Sequence, residues 1–241
     1  MTWSIVARDA ATGAYGVAVS TCAFAAGARV PYGGGRVGAI ATQAYTNPLY
    51  GVDGLRLLQE GRSAVEIIAS LTAADEGRAH RQLHLIDRNG KIAAYTGNAC
   101  IDWCGAVDGP QVSVAGNMLA GPEVVQETLK AYVQNSGLDF DERLLVALEA
   151  GEKAGGDKRG RQSCAIRIWA DDPVPSFDIR VDDHADPLGE LRRVWRVAHQ
   201  RYVPYQKASP SRTRPTGVTD RAELDRLCAD YAAAWNERHP E

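Results

Sequence analysis

The chain has 241 residues, 45% of them hydrophobic and 24% charged, with a formal net charge of -3. A chain of that size can bury one large core, and without a sequence-wide basic excess nucleic acid is not expected as a principal partner. No apolar run approaches the roughly 20 residues of a membrane span, and the start lacks the basic, apolar and small-residue order of a secretory signal, so no membrane partner and a cytoplasmic location are expected.

Residues 2–8 and 15–20 read as two strands joined by Asp9-Ala10-Ala11-Thr12-Gly13, a turn-forming cluster that predicts an antiparallel hairpin. A glycine-rich passage at 27–35 precedes an apolar strand at 37–43, and Asn47-Pro48 marks the switch into helix. Helices are predicted at 51–60 and 64–74, the second entered through Ser63 and Glu66 at capping-box spacing. Residues 82–87 and 91–96, joined by Arg88-Asn89-Gly90, form the clearest hairpin, and a strand at 111–118 completes that group. Helices follow at 123–134 and 142–153, with Asp139 as a cap, then a hairpin of 163–170 and 176–181. Asp186-Pro187 opens a helix running to about residue 201.

Pro204, Pro210 and Pro215 among Ser, Thr, Lys and Arg make 203–216 a predicted linker. The domain plan is therefore 1–202, a linker at 203–216, and a C-terminal amphipathic helix within 217–241. That helix carries Leu224, Leu227, Cys228, Tyr231 and Trp235 near helical spacing, a stripe to bury on the domain or on a second subunit, and a homodimer is expected. Strands in blocks of three, three and two with helix pairs between them argue against a doubly wound sheet. They predict an α+β fold of two mainly antiparallel sheets stacked face to face with helices outside, a four-layer αββα sandwich.

The five cysteines, Cys22, Cys100, Cys104, Cys164 and Cys228, lack the paired spacing of a disulfide framework. Cys100 and Cys104 bracket Ile101-Asp102-Trp103, and His80 and His84, expected on one face of a strand, are the only histidines placed to join them; no metal and no cofactor are expected. Cys22 is weighed as a nucleophile and preferred as a structural thiol. Trp103 is read as the anchor of a long loop, and His184 and His199 as capping or surface residues. No Gly-x-Ser-x-Gly elbow is present.

Thr2 is the candidate nucleophile. At a free N-terminus its hydroxyl has a base beside it, because the α-amine titrates near about 7.7 to 8.0 and can take the hydroxyl proton. The motifs Thr2-Trp3-Ser4-Ile5-Val6-Ala7-Arg8-Asp9, Gly16-Val17-Ala18-Val19-Ser20, Ala41-Thr42-Gln43-Ala44-Tyr45-Thr46-Asn47-Pro48 and Gly156-Asp157-Lys158-Arg159-Gly160-Arg161-Gln162-Ser163 resemble the bacterial family called domain of unknown function ten twenty-eight. The element order also resembles N-terminal nucleophile (Ntn) hydrolases, including proteasome-like subunits.

The resemblance implies an Ntn-like fold and an amide or peptide-bond hydrolase acting on a small molecule or short peptide, with Thr2 acting after removal of Met1. By position it implies Ser20, Asn117, Asp157 and Ser163 as catalytic partners. Asp157 and Ser163 come from the region that holds the N-terminal amine in proteasome-like relatives; Asn117 stands where an oxyanion donor is needed. Arg36, Gln43, Tyr45, Asn47, Arg159 and Arg161 are the candidate substrate contacts, Arg36 approximating a lysine position although an arginine cannot exchange a proton there. A structural ion pair of Asp157 with Arg159 is the competing reading. The alternative function is a non-catalytic Ntn-like protein that binds a small ligand or peptide through Gln43, Asn47, Asp157 and Arg161.

Overall fold

The computed structural model describes residues 2–240. Met1, whose removal the nucleophile reading requires, lies outside them. The opening hairpin forms as expected from β1 (Thr2–Arg8) and β2 (Tyr15–Thr21), paired from Trp3 opposite Ser20 to Arg8 opposite Tyr15. The Asp9 carboxylate closes its turn by accepting from the backbone N–H (3.0 Å) and hydroxyl (2.6 Å) of Thr12, and Gly13 takes a φ of 76° that favours glycine.

Next come β3 (Pro31–Gly34), β4 (Gly38–Ala44), α1 (Pro48–Gln59), α2 (Ala64–Ala73), β5 (Arg81–Asp87) and β6 (Ile92–Thr96). They are followed by β7 (Gly105–Gly109), β8 (Val112–Asn117), α3 (Glu123–Gln134), α4 (Phe140–Lys153), β9 (Ser163–Trp169) and β10 (Phe177–Val181). The chain ends with α5 (Pro187–Gln200), α6 (Tyr202–Ala208) and α7 (Arg221–Arg238). The fold is therefore mixed α+β, with seven α-helices among the described residues and two antiparallel sheets, ordered β10-β9-β2-β1-β8-β7 and β3-β4-β5-β6.

The expected grouping of strands needs correction. The 111–118 strand does not complete the 82–96 hairpin; as β8 it pairs with β1 in the other sheet, Asn117 opposite Thr2. Two strands had no sequence signal. β7 is a short edge strand with glycine at both ends, and β3 begins with a proline and ends in two glycines. Gly33 is required there because a Cβ would sit 2.6 Å from the ring of Trp169.

The two sheets face one another across a buried apolar cluster that includes Val6, Val17, Val19, Ala39, Ala41, Ile86 and Trp169. Strand alternation assigns the faces: on β1, Val6 points into this cluster while Trp3, Ile5 and Ala7 point to the outer face of the six-stranded sheet. That outer face is covered by α3, α4 and α5, through Val124, Leu144, Leu148, Leu191 and Trp195 among others. The outer face of the four-stranded sheet packs against α1 and α2, through Tyr50, Leu58, Ile67 and Leu71.

The predicted linker at 203–216 is partly helical. α6 occupies residues 202–208, with Val203, Pro204 and Ala208 buried, and Pro204 falls within its first turn, where the missing N–H costs no intrahelical bond. α7 folds back onto the domain: Trp235 is buried in the large cluster and packs edge-on against Trp195 with ring centroids 5.2 Å apart. His199 on α5 is buried rather than superficial, bonded to Asp141 (2.8 Å) and the Tyr231 hydroxyl (2.9 Å). The Ser63–Glu66 capping box is present, whereas Asp139 makes no cap bond and instead pairs with Arg238 at 3.2 Å.

Candidate functional site

Thr2 stands at the start of β1, flanked by β2 and β8, and its hydroxyl donates to the Thr21 hydroxyl at 3.2 Å. Both line a cavity of about 520 Å³ that opens where β4 and β8 end. Its wall is built by the residues that close or follow those strands, Ala44 to Thr46 and Met118, together with Arg29, Arg81, Cys100 and Arg159. Ala44 (φ 68°) and Met118 (φ 55°), each next after the last inward-facing amide of its strand, hold left-handed backbone without being glycine.

Beneath the cavity a chain of neutral side chains runs between the sheets. Asn117, buried beside Thr2, donates to Gln82 Oε1 at 2.9 Å, and Gln43 donates to the same oxygen at 2.8 Å. Gln82 in turn donates to the Thr96 hydroxyl (2.9 Å) and the Gly116 carbonyl (2.8 Å). Ser4 donates to Gln43 Oε1 at 2.7 Å, so its oxygen is left to accept from His84 Nε2 at 2.8 Å, and His84 Nδ1 then accepts from Ser113 at 3.0 Å. Burial holds the His84 pKa down at about 3, so the ring stays neutral and acts as a spacer.

His84 is thus sealed between the sheets while His80 sits on the single 3-10 turn before β5, so the two do not share a face. Among the described residues no group of three or more His, Cys, Asp and Glu could hold a metal, and no helix is long and apolar enough to cross a membrane.

Asp157 is buried behind the cavity wall. Its carboxylate accepts from the Cys22 N–H (2.8 Å) and the Arg159 N–H (2.9 Å) and pairs with the Arg159 guanidinium at 3.2 Å. It therefore fixes the loop after β2 and aims Arg159 at the cavity. On the opposite wall Asp75 does the same for Arg81 (3.0 Å), while also accepting from Tyr50 (2.9 Å), Asn47 (3.3 Å) and the Gly77 N–H (2.7 Å). Burial pushes the Asp75 carboxyl up, but these four donors outweigh it and bring its pKa to about 2.

A carboxylate that is more acidic when folded contributes stability above its unfolded pKa and loses it as pH falls through the folded value. Wild type is therefore expected to lose about 1–2 kcal/mol more than Asp75→Asn between about pH 4 and pH 2, discounted for partial exposure. Urea midpoints across that range check it; equal acid sensitivity of the two proteins would contradict it.

The model of one family, described as a family of unknown function (DUF1028), matches residues 2–191. The chain belongs to this family. The crystal structure of protein SPO2555 from Silicibacter pomeroyi, also a DUF1028 protein, is 32% identical, covers 91% of this chain and 99% of its own, and superposes with a TM-score of 0.84. Anbu, the ancestral beta-subunit from Yersinia bercovieri, is 11% identical over 80% of this chain and 92% of its own, with a TM-score of 0.39, too distant to carry an argument. No curated protein matches.

Of the residues singled out in this DUF1028 sequence, Thr2, Asn117, Tyr45 and Arg159 meet at the cavity, and Gln43 and Asp157 stand directly behind it. The others lie elsewhere. Ser20 sits among Trp3 and Cys164 on the outer face of its sheet, because the strand alternation that brings Thr21 to Thr2 turns Ser20 away. Ser163 spends its hydroxyl on the loop after β2, donating to the Ala23 carbonyl (2.6 Å) and accepting from the Ala26 N–H (3.0 Å).

Arg36 pairs with Asp171 (2.8 Å) in the turn before β4, at the far end of that strand, roughly 20 Å of extended chain away. Asn47 caps α1 by accepting from the Leu49 N–H, and Arg161 bridges Glu152 (2.5 Å) and Asp186 (3.3 Å) on another surface. Cys22 is held through its backbone, its Sγ 3.8 Å from the Arg159 carbonyl, and Cys100 lines the cavity with a thiol pushed up by burial.

Thr21, Gln82, Arg29 and Arg81 were not anticipated. Thr21 had a signal, since it shares the strand parity of Val17 and Val19; Gln82 had none, because a lone glutamine entering a strand reads as an exposed end.

Proposed function

We propose that this protein hydrolyses an amide or peptide bond in a small molecule or short peptide, with Thr2 as N-terminal nucleophile once Met1 has been removed. One observation carries the reading: the Thr2 hydroxyl lies at an inner wall of the cavity, on a central strand, with the Asn117 side chain in register beside it. The helix, sheet, sheet, helix order of the packed layers supports assignment to the αββα sandwich that Ntn hydrolases use.

In this mechanism Thr2 Oγ1 attacks the amide carbonyl carbon while the α-amine accepts the hydroxyl proton. The developing oxyanion takes a hydrogen bond from Asn117, whose amide has one N–H committed to Gln82 and therefore a fixed plane. Collapse breaks the C–N bond, the ammonium returns its proton to the leaving amine, and an ester to Thr2 remains. Water, deprotonated by the same amine, then cleaves that ester. The buried neutral chain below lets the site hold its shape without a competing charge.

The test is the intact mass and N-terminal sequence of untagged protein. A chain starting at Thr2 is expected and frees the base; uniform retention of Met1 converts the amine into an amide, refutes the mechanism and leaves the ligand-binding reading in its place.

A further inference from the structure

Among the described residues, the charged side chains that line the Thr2 cavity are Arg29, Arg81 and Arg159, with no aspartate or glutamate. Arg81 and Arg159 are braced from behind by Asp75 and Asp157, which holds their guanidinium groups along the wall. Arg29 has no carboxylate partner among the described residues. Its backbone is nonetheless fixed, because the N–H groups of Arg29 (3.0 Å) and Val30 (2.9 Å) both bond to the Ala26 carbonyl. A concave wall bearing one sign of charge concentrates the opposite sign in its ligand, and a guanidinium fork matches a carboxylate with two parallel hydrogen bonds.

The rim has a second character. Phe24, Tyr45 and Ile101 all line this cavity and are 67%, 68% and 48% exposed, large apolar surface left uncovered at one mouth. Cationic groups and apolar surface in a cavity of this volume fit a small molecule with an anionic end and an apolar body.

We infer that the substrate is an N-acylated amino acid or short acyl peptide, its free carboxylate held by Arg29 and its apolar group resting on Phe24, Tyr45 and Ile101. The inference rests on the amide-hydrolase reading for the bond that is cut, and adds the charge and polarity of what carries that bond. Hydrolysis of such a molecule balances with water alone, giving a carboxylic acid and a free amino acid.

The experiment uses full-length Thr2→Ala protein, so that no probe is consumed, and calorimetric titration with acetyl, hexanoyl and phenylacetyl derivatives of glycine and leucine. Each is offered as the free acid and as the uncharged carboxamide. The acids are expected to bind about tenfold more tightly than their carboxamides, longer or aromatic acyl groups more tightly than acetyl, with the acid advantage shrinking at high salt. Adding Arg29→Gln should erase the acid preference, bringing acid binding down to the level of the matching carboxamide in the same variant.

Equal binding of acid and carboxamide across the series, no binding by any member, or an acid preference that survives Arg29→Gln would each overturn the inference. Acid-selective binding by a wild-type protein that cleaves none of these amides would sink the hydrolase reading alone and leave the anionic ligand site standing.

Discussion

Thr2→Ala is expected to abolish ester formation between this protein and an aliphatic β-lactone, an electrophile that acylates an activated hydroxyl, and to lower amide turnover about a thousandfold or more. Alanine keeps the strand and the small second residue that permits removal of Met1, but deletes the only atom proposed to bond to the substrate. Structurally the change forfeits the hydroxyl contact to Thr21 at 3.2 Å, worth about 1 kcal/mol, so the variant should fold and bind. Thr2→Ser keeps nucleophile and amine and should keep labelling. Intact-mass spectrometry after incubation with the lactone reads both. Undiminished labelling of Thr2→Ala would remove Thr2 from the mechanism and direct attention to Cys100, the thiol that shares the cavity.

Gln82→Ala is expected to cost about 3–4 kcal/mol of folding stability, read as the shift in urea midpoint multiplied by the slope. Gln82 is fully buried and satisfies both neighbouring amides through one oxygen while donating to Thr96 and to the Gly116 carbonyl. Truncation leaves those donors and acceptors facing one another across a void that the two sheets cannot close without disturbing β1. Part of the cost is cavity and part is polar groups deprived of partners. Gln82→Met, of similar volume, separates them and should retain a penalty of about 2 kcal/mol. A loss below about 1 kcal/mol in the alanine variant would mean that water or a rotated Asn117 replaces the missing amide, and that the alignment of Asn117 does not depend on Gln82.

What could be read from the sequence and what could not divides along physical lines. Elements governed by local rules were legible: the Asn89-Gly90 hairpin, the Ser63 capping box and the opening hairpin with its Asp9–Gly13 turn depend on neighbours within a few residues. The place of Thr2 at the very start of the first strand was legible for the same reason. β3 and β7 were not, because their pairing partners, not their composition, make them strands. Arg36 and Arg161 were read as substrate contacts, yet each found a carboxylate distant in the chain, Asp171 and Asp186. The amide chain through Gln82 joins residues from β1, β4, β5 and β8 and exists only once the two sheets have met.

The mouth of the cavity has one further property. Ala44 and Met118 terminate their strands in backbone conformations that cost an alanine or methionine about 1 kcal/mol each, and the adjoining amides pin both: the Tyr45 N–H bonds to the His80 carbonyl and the Met118 N–H to the Ile101 carbonyl. The backbone at these two strand ends is therefore set by hydrogen bonds within the fold itself. Association should proceed in a single kinetic phase, its rate rising linearly with ligand concentration rather than reaching the plateau of a gated site.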